Sequence, residues 1–541
     1  GSEMCIRDSN RRYFILKSII LNNLFGVDIM EEAIEICKLR LFLKLVAQVE
    51  RVNEIEPLPD IDFNVKAGNT LVGFVDYEQV KRAVTSDPSD LANISQIKMF
   101  TDEPMRRIEE KAEDVDRLFA LFRQQQTEIG GEVTAEDKQE LLIRLKGLEG
   151  ELNRYLAGEY GVDPEKKGEY EKWLASHKPF HWFIEFYGIM KKGGFDVIIG
   201  NPPYVEYSKV KKEYNIQGYA TEKCGNLYAF IFERSLLLLG TDGDIGLIVP
   251  ISLICTQRMS VLQQVLNTYL NSFWLSNYAE RPSKLFSGAE VLLTIAIGNK
   301  AKNSRLQSST GFIKWTSEER KTLFASLSYA KVPQKPKPYV LPKVCSRLEI
   351  SILNKLENHK GQLGYHFQRT SENRIYYRIG GGRYWKIFTN FQPRFVLNGE
   401  PSISSRENYL FFESKSLRDA AIAVLSTSLF YWYFILTTNC RDLNPSDLKE
   451  FPVSFEDFSA KNISELSGLC KKLMDDYSQN SQLKNKISSL TGEIIYQEFY
   501  PRLSKPIIDE IDQVLAKHYG FTEEELDFII NYDIKYRMGI K

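Results

Sequence analysis

The fold of this chain is decided by one stretch of sequence, Gly193-Gly194-Phe195-Asp196-Val197-Ile198-Ile199-Gly200-Asn201-Pro202-Pro203-Tyr204. Within it, the apolar and β-branched run 197–199 predicts a buried strand. The two prolines end that strand, because neither has an N–H to donate to a sheet ladder and both stiffen the backbone. Ligands bind at the carboxyl ends of the strands in open α/β sheets. We therefore expect this rigid turn to face a ligand.

The turn brings together groups that suit a planar amino group. The side-chain oxygen of Asn201 and the backbone carbonyl of Pro202 are two acceptors, and an exocyclic –NH2 has two hydrogens to give. Holding both hydrogens lets the nitrogen move toward sp3 geometry, which frees its delocalised lone pair for attack. The ring of Tyr204 can stack on a flat base. The alternative is a turn that contains Asn-Pro-Pro by chance.

An acidic residue marks a second candidate position near the start of the chain. The segment 24–27 predicts a strand that ends at Asp28, and a helix with apolar residues at helical spacing follows from Glu31. An acid at the end of an early parallel strand is where a doubly wound fold holds the hydroxyls of a ribose. Asp also commonly caps helices, and both interpretations remain open.

The composition is that of an ordinary globular protein, large enough for two or more domains. The chain has 541 residues, of which 43% are hydrophobic and 26% are charged, and its net charge is −1. Any surface that binds nucleic acid must therefore be local. The seven cysteines show no metal-ligand spacing, so we expect no metal site, and reduced thiols in a cytoplasmic protein. The best candidate for a membrane span, 420–436, is interrupted by Ser-Thr-Ser and predicts a core helix instead.

Five segments in chain order carry a resemblance to a known family: 26–28, 68–71, 195–204, 226–228 and 244–250. Together they are similar to the gamma-ordered N6-adenine-specific DNA methyltransferases, and most of all to the Eco57I-type restriction-modification methylases. The resemblance implies an α/β fold, with a Rossmann-like domain that uses S-adenosyl-L-methionine. It also implies a mixed α+β target-recognition domain after it.

The resemblance further implies which residues hold the cofactor. Asp28, with Ile29 beside it, would hold the ribose of S-adenosylmethionine, and Asn69 would bond its adenine. A plain β-turn is the alternative at Asn69, because Gly-Asn is a frequent turn pair.

At the target base, the resemblance implies a catalytic set of Asn201, Pro202 and Tyr204. Pro203 and Phe286 would flank the extruded base. Methyl transfer from a sulfonium needs little help from a base, so no further catalytic side chain is expected.

Changes in sequence character predict the order of the domains. From 78 to 180 the chain is charged and helical, with apolar residues at heptad spacing, and Thr134 and Asp137 stand at capping-box spacing. The Lys- and Pro-rich segment 331–338 predicts an extended linker. We expect a methyltransferase domain at 10–300 with a helical insertion at 78–180, a linker at 301–345, a DNA target-recognition domain at 346–460 and a helical region at 461–541.

Two groups of residues are candidates for contacts to DNA. Lys209, Lys211 and Lys212 follow the turn and can contact phosphates beside an extruded base, although a solvated loop is an equal alternative. Arg441 and Asn444 are of the types that read guanine and adenine edges, in a loop that resembles the family's target-recognition domain. We therefore expect double-stranded DNA with one base flipped out as the partner.

One part of the family's pattern is missing from the sequence. The strand and Gly-rich loop that cradle the methionine part of the cofactor should precede residue 24, and 1–23 contain no Gly-x-Gly. We therefore expect a chain that is truncated at its amino end and binds the cofactor poorly.

These observations favour site-specific transfer of methyl from S-adenosylmethionine to adenine N6 in DNA, in a restriction-modification or related defence system. One alternative is an inactive DNA-binding specificity fragment of such an enzyme. Others are methylation of a protein glutamine, whose planar amide suits the same turn, and of cytosine N4. No metal-dependent nuclease constellation stands out, so any cleavage would lie outside this chain, either in a fused nuclease or in a restriction or defence-system partner.

Overall fold

The computed structural model describes residues 11–49, 59–85, 94–127, 134–288, 290–301, 306–333, 337–489 and 491–539. These residues form a mixed α/β fold. They divide into two compact units, and the boundary runs through two strands and one helix. The first unit comprises Gly1–Leu247, Gln264–Asn271 and Gly298–Asn303, and the second unit comprises Ile248–Gln263, Ser272–Ile297 and Ser304–Lys541.

Two parallel strand pairs carry the turns of interest in the first unit. β1 pairs with β2 from Gly26↔Val65 to Asp28↔Ala67, and β3 pairs with β4 up to Gly200↔Leu247. The predicted strands before Asp28, Gly68 and Asn201 are therefore confirmed. The elements in chain order are α1 (Arg11–Asn23), β1 (Gly26–Asp28), α2 (Glu31–Val46), β2 (Val65–Ala67), α3 (Tyr77–Thr85), α4 (Ile94–Thr127), α5 (Ala135–Glu159), α6 (Lys167–His177), α7 (Trp182–Glu185), α8 (Tyr187–Lys191), β3 (Phe195–Gly200), α9 (Tyr207–Val210), α10 (Leu227–Leu238) and β4 (Leu239–Pro250).

One apolar cluster packs against both strand pairs. Phe25 and Val27 at β1, and Phe195 and Ile198 of β3, all contact the same buried group. The rings of Phe25 and Phe195 lie 6.1 Å apart. The two strands that carry the predicted functional turns therefore rest on one shared core. The buried members of that cluster are Val75, Phe180, Trp182, Phe186 and Leu238.

The strand prediction for 197–199 is correct, but the prediction that the strand is buried is wrong. In the described part of the chain, β3 pairs with β4 alone and stands at the edge of its sheet. Ile198 packs on the cluster, whereas Val197 and Ile199 face the other way, with exposed fractions of 59% and 81%. An apolar run indicates burial only where layers cover both faces of the sheet, and the run itself does not reveal how many layers there are.

Four helices, α3 to α6, occupy the predicted insertion. The heptad residues Ile108, Val115 and Phe122 of α4 are buried, in a cluster shared with α5. The predicted capping box at the start of α5 is confirmed. Thr134 Oγ1 accepts from the Asp137 N–H at 3.1 Å, and the Asp137 carboxylate accepts from the Thr134 N–H at 3.2 Å.

The second unit contains three groups of hydrogen-bonded strands, in the orders β6-β5-β7-β8, β11-β10-β14-β9 and β13-β12-β16-β15. β5 and β7 are parallel neighbours. The strands are β5 (Ser272–Tyr278), β6 (Leu293–Asn299), β7 (Leu306–Ile313), β8 (Ala330–Lys331), β9 (Phe367–Gln368), β10 (Arg374–Arg378), β11 (Phe388–Thr389), β12 (Phe395–Leu397), β13 (Glu400–Pro401), β14 (Glu407–Phe412), β15 (Gln482–Ser488) and β16 (Gly492–Glu498).

The helices after β4 are α11 (Ser252–Cys255), α12 (Ser260–Tyr269), α13 (Arg347–Glu357), α14 (Lys415–Leu425), α15 (Ser428–Thr437), α16 (Pro445–Lys449), α17 (Ala460–Gln479), α18 (Lys505–Tyr519), α19 (Glu523–Asn531) and α20 (Ile534–Arg537). Of these, α14 and α15 are central to the apolar core of the second unit.

The sequence predicts one continuous core helix over 420–436, and this prediction is wrong because the structure has two helices there. α14 ends at Leu425 and α15 starts at Ser428, because the hydroxyl of Thr427 accepts from the Phe430 N–H at 3.0 Å and caps a new helix. The two helices meet at 66°. No single helix among the described residues has the length and apolar character to cross a bilayer, and this bent pair meets only the criteria of length and composition. Residues 419–437 of the pair are buried in the core.

Two of the expected segments have more structure than the sequence indicates. The expected linker at 301–345 contains β7, and 334–336 of its Lys- and Pro-rich stretch lie outside the described residues. β7 is rich in Ser and Thr, whose hydroxyls bond the neighbouring strand, as when Asn277 Nδ2 donates to Ser309 Oγ at 3.0 Å. The expected helical region at 461–541 contains the hairpin β15-β16, which turns at Gly492 with φ +85°.

Candidate active site

The Asn-Pro-Pro-Tyr turn follows the carboxyl end of β3. Asn201 and Pro203 are exposed, while Pro202 is buried and Tyr204 is half-buried. The Tyr204 hydroxyl donates to Asn201 Oδ1 at 2.7 Å. Burial raises the pKa of Tyr204 to about 12, so the phenol stays protonated and remains a donor at neutral pH. The amide oxygen predicted to accept from an amino group therefore already accepts a hydrogen bond.

Backbone hydrogen bonds fasten the residues after the turn to the start of α10. The Leu227 N–H donates to the Val205 C=O, and the Tyr207 N–H donates to the Gly225 C=O, each at 2.9 Å. Side chains add a third contact, because Asn226 Nδ2 donates to Glu206 Oε1 at 3.1 Å. These bonds position the turn through the backbone on both sides of Glu206.

Asp28 ends β1 and is exposed, while Ile29 is half-buried. The Oδ1 of Asp28 accepts from the Met30 N–H at 2.8 Å, and Met30 is the residue that precedes the first turn of α2. The N-cap residue of α2 is Met30, which has no side-chain cap bond, so Asp28 is not the capping residue that the alternative predicts. The Asp28 carboxylate instead bonds the N–H of that N-cap residue. Its exposure also leaves the side chain within reach of a ligand at this strand end.

Asn69 follows β2 and is almost fully buried, with 3% of its surface exposed. Its Oδ1 accepts from the Leu71 N–H at 3.1 Å, which closes a local turn of the Asx type. Within the described part of the chain, its Nδ2 has no hydrogen-bond partner. Asp28 lies on the neighbouring strand end, where its C=O accepts from the Gly68 N–H at 2.8 Å.

These two residues fit a nucleoside-containing cofactor in chemistry. A carboxylate suits the two hydroxyls of a ribose, and an unpaired amide N–H suits one acceptor of an adenine edge. The fit is better at Asp28, which is exposed, than at Asn69, where burial limits the approach of a ligand.

A polar network that the sequence did not reveal joins the β2 turn to α10. The Tyr219 hydroxyl donates to the Leu71 C=O at 2.9 Å, and Arg234 of α10 donates to the same carbonyl at 3.0 Å and to the Tyr219 oxygen at 2.6 Å. Burial raises the pKa of Tyr219 to about 12. Because α10 also holds the Asn-Pro-Pro-Tyr turn, one helix fixes both predicted sites. The partners are far apart in sequence, and no local pattern predicts them.

His181 is a packed side chain. It is 1% exposed; Nδ1 accepts from the Phe74 N–H at 3.2 Å, and Nε2 lies 3.0 Å from Asn153 Oδ1. Burial lowers the pKa of His181 to about 3. The imidazole is therefore neutral with both nitrogens engaged.

The three lysines after the turn are all exposed. Lys209 lies in α9, and Lys211 and Lys212 follow it. Lys211 Nζ lies 4.0 Å from Glu222 Oε1, an exposed pair that contributes little to stability. Their arrangement suits either a solvated loop or a phosphate-binding patch, and their contact with DNA stays a prediction.

The remaining predicted residues belong to the second unit. Phe286 is 36% exposed in the segment between β5 and β6. Arg441 is half-exposed, with its guanidinium 3.7 Å from Glu280. Asn444 is already hydrogen-bonded at the start of α16, where its N–H and Nδ2 donate to Asp447 Oδ2 at 2.8 and 3.1 Å. A role for Asn444 in reading a base requires this local pair to open.

The first part of the chain is similar to a known protein family. A family model described as Eco57I restriction-modification methylase matches residues 22–286. A curated relative is the putative type II restriction enzyme and methyltransferase RM.MjaORFECS2P of Methanocaldococcus jannaschii, 28% identical over an alignment of 610 residues that covers 92% of this chain and 50% of that protein. The chain thus spans about half the length of the curated relative it matches.

Two solved structures are similar at low sequence identity. The type IIL restriction-modification enzyme MmeI, in complex with DNA, is 12% identical with a TM-score of 0.39, over 99% of this chain and 75% of that one. The type IIG restriction endonuclease BpuSI is 12% identical with a TM-score of 0.25, over 99% of this chain and 77% of that one.

Proposed function

We propose that the chain transfers methyl from S-adenosyl-L-methionine to adenine N6 at specific sites in double-stranded DNA, because residues 22–286 match the Eco57I restriction-modification methylase family model. The base to be methylated is flipped out of the duplex. A restriction or defence-system partner would supply cleavage. The observation that carries the proposal is the exposed Asn-Pro-Pro-Tyr turn, in which Asn201 Oδ1 accepts a hydrogen bond from Tyr204.

The turn supplies the acceptors that an aromatic amino group needs. Asn201 Oδ1 and the Pro202 C=O take the two amino hydrogens, and the nitrogen lone pair then points away from the ring plane. Tyr204 stacks on the base, and Pro203 flanks it. When the amino group binds, its N–H replaces the Tyr204 hydroxyl as the hydrogen-bond donor to Asn201 Oδ1. The methylated nitrogen loses its proton to water, because His181 is buried and uses both ring nitrogens.

The cofactor supplies an electrophilic methyl group on a sulfonium. Asp28 and Ile29 are the residues proposed to hold its ribose, and Asn69 its adenine. Asp28 offers an exposed carboxylate, and Asn69 offers an amide Nδ2 without a hydrogen-bond partner among the described residues. Both stand at carboxyl ends of parallel strands, where ligands bind in open α/β sheets.

Five residues are proposed to contact DNA. Lys209, Lys211 and Lys212 neutralise phosphates near the extruded base, and their exposure supports this. Arg441 and Asn444 contact bases of the recognition sequence. These contacts belong to two separate units, whose roles are methyl transfer and recognition.

The test is to identify the methylated product. The chain is incubated with methyl-labelled S-adenosylmethionine and a mixture of duplex DNA sequences, the DNA is digested to nucleosides, and the products are separated by mass spectrometry. With S-adenosylmethionine at saturating concentration, we expect N6-methyladenine from the chain and on the order of a hundredfold less of it from the Asn201→Ala variant. N4-methylcytosine as the product would show cytosine methylation in place of the proposed function. Label on protein glutamine would show protein methylation in its place. DNA binding without any label transfer would favour a specificity fragment.

A further inference from the structure

A pocket of about 570 Å³ opens within the second unit. It lies at the carboxyl ends of β5 and β7, the parallel neighbours, since Glu280 follows the first strand and Lys314 the second. Seven charged residues line it, five of them basic: Arg281, Lys314, Arg383, Arg406 and Arg441, with the acids Glu280 and Asp442. The chain as a whole carries a net charge of −1, so this excess of positive charge is local.

One buried carboxylate stands between two arginines of this pocket. Glu280 is 7% exposed, its Oε1 lies 3.0 Å from Arg383 Nη2, and its Oε2 lies 3.7 Å from Arg441 Nη2. Oε2 is shielded from solvent and makes no hydrogen bond to any described residue. A ligand in the pocket therefore does not reach the carboxylate itself, but it does reach the guanidinium groups above it, whose side chains are 39% and 53% exposed.

The two arginines stand on loops that are tied together. The loop before Arg441 is held by Asn439, whose Oδ1 accepts from the Arg441 N–H at 2.9 Å. The next residues return to the other loop, where the Leu443 N–H donates to the Ile379 C=O at 2.7 Å. Arg383 follows Ile379 by four residues. The loops and the shared carboxylate therefore fix the two guanidinium groups relative to each other.

Fixed guanidinium groups suit a base edge. Guanine presents O6 and N7 side by side and accepts a planar, correctly oriented arginine. A phosphate also accepts arginine, but it carries no sequence information, so sequence selection separates the two ligands. Burying a carboxylate costs free energy, and we infer that the buried Glu280 offsets this cost by orienting the guanidinium groups. Lys314 does not compete for the ligand, because its side chain is 4% exposed and is paired with Asp533.

We propose that Glu280 orients Arg383 and Arg441 so that they read guanine in the recognition sequence of the DNA. Glu280 is a positioning residue, and the two arginines determine specificity. This inference rests on the proposed function, because it takes duplex DNA as the ligand. It adds Arg383 and Glu280 to the recognition residues, and it names guanine as the base that Arg441 reads.

The test is selection from a library of duplex DNA with a randomised 20-base-pair segment, followed by sequencing of the bound fraction. The full chain is compared with Glu280→Gln, Arg383→Lys and Arg441→Lys. The matched control is Glu510→Gln, an exposed carboxylate of the same unit that pairs with Lys472 outside the pocket. Thermal unfolding checks that each variant is folded, and the exposed arginine variants test the inference even if Glu280→Gln does not fold.

We expect the chain to select a sequence that contains guanine, and each pocket variant to lose that preference at the same position by about tenfold. Preferences elsewhere, and the slope of affinity against salt, stay as in the chain and in Glu510→Gln. A uniform loss on all sequences, with a shallower salt slope, would show phosphate contacts and overturn the inference. Unchanged preference in the arginine variants would also overturn it, while the proposed function would stand. If the chain itself selects no sequence, the inference and the proposed recognition of specific sites both fail.

Discussion

Asn201 and Tyr204 share one hydrogen bond but have different proposed tasks, and single substitutions separate them. Asn201→Ala removes an acceptor of the amino group, so we expect the rate of methyl transfer to DNA to fall on the order of a hundredfold, by analogy with the loss of one transition-state hydrogen bond. The exposed position should leave the unfolding temperature nearly unchanged. The measurement is single-turnover methylation with saturating cofactor.

Tyr204 provides the internal control for that experiment. Tyr204→Phe keeps the ring and removes only the hydroxyl that donates to Asn201, so we expect most of the rate to remain. Tyr204→Ala removes the stacking surface, which is worth about 1–3 kcal/mol per base, and should lose far more. Equal losses in the two variants would contradict a stacking role for the ring.

His181 predicts a pH dependence of stability in the first unit. Burial holds its pKa at about 3, against 6.5 for the ordinary side chain. Between these values the unfolded chain binds one more proton than the folded chain, so this contribution is complete above pH 6.5 and is lost as the pH falls toward 3. The slope is about 1.4 kcal/mol per pH unit.

The measurement is urea unfolding at pH 7.5 and pH 5, for the chain and for His181→Gln. The chain should lose about 2 kcal/mol more stability than the variant over this interval, from the part of the slope that lies below pH 6.5. An equal loss of stability in the chain and in His181→Gln between pH 7.5 and pH 5 would mean that the imidazole titrates normally in the folded state. In that case His181 would again become a candidate to accept the amino proton.

At the scale of elements, the start of α10 holds the turn that we propose to be catalytic, and Glu206 is the side chain that completes this contact. Glu206→Ala removes the acceptor of the Asn226 amide but leaves the flanking backbone bonds. We expect about a tenfold loss in the methyl-transfer rate from a less well-positioned turn, with little change in cofactor affinity. Glu213→Ala, an exposed residue of the same segment, is the control. A loss in the control as large as in Glu206→Ala would contradict the positioning role.

The strands were predictable, but their surroundings were not. β1, β2 and β3 follow from short apolar runs that end at Asp28, at Gly68 and at the prolines, and the capping boxes of α5 and α19 follow from fixed spacings. The exposure of Ile199 does not follow, because an apolar run has the same sequence whether its sheet is covered on one face or two. β7 was missed for the opposite reason, since its polar side chains bond the neighbouring strand.

The candidate site was predictable only where its residues are neighbours in sequence. The turn at 201–204 carries its acceptors and its ring within four residues. In contrast, Arg234 reaches Leu71 across 163 positions, and Arg383 and Arg441 meet at Glu280. These polar groups become partners only when distant loops fold together, and each is an ordinary charged residue in its own segment. Sequence patterns therefore reveal the chemistry of the site and not the network that positions it.

At the scale of the whole molecule, charge limits how the chain can bind the DNA that we propose as its partner. The net charge is −1, so no general attraction to a polyanion exists, and affinity must come from local groups. Among these, Lys209, Lys211 and Lys212 are exposed and lie close to the proposed base site in sequence. Each phosphate contact releases counterions and contributes about −0.9 to the slope of log affinity against log salt concentration.

We therefore expect a measurable change in that slope when all three lysines are replaced by alanine. If each contacts one phosphate, the slope should become shallower by about 2.7, while the preferred DNA sequence stays the same, because phosphate contacts carry no sequence information. The matched control replaces Lys461, Lys471 and Lys472, exposed lysines of α17, and should leave the slope unchanged. The measurement is a titration of duplex DNA at 50 to 200 mM salt, the range over which such slopes are read. An equal slope in both triple variants would place the first three lysines in a solvated loop, and the phosphate contacts would then have to come from other basic residues.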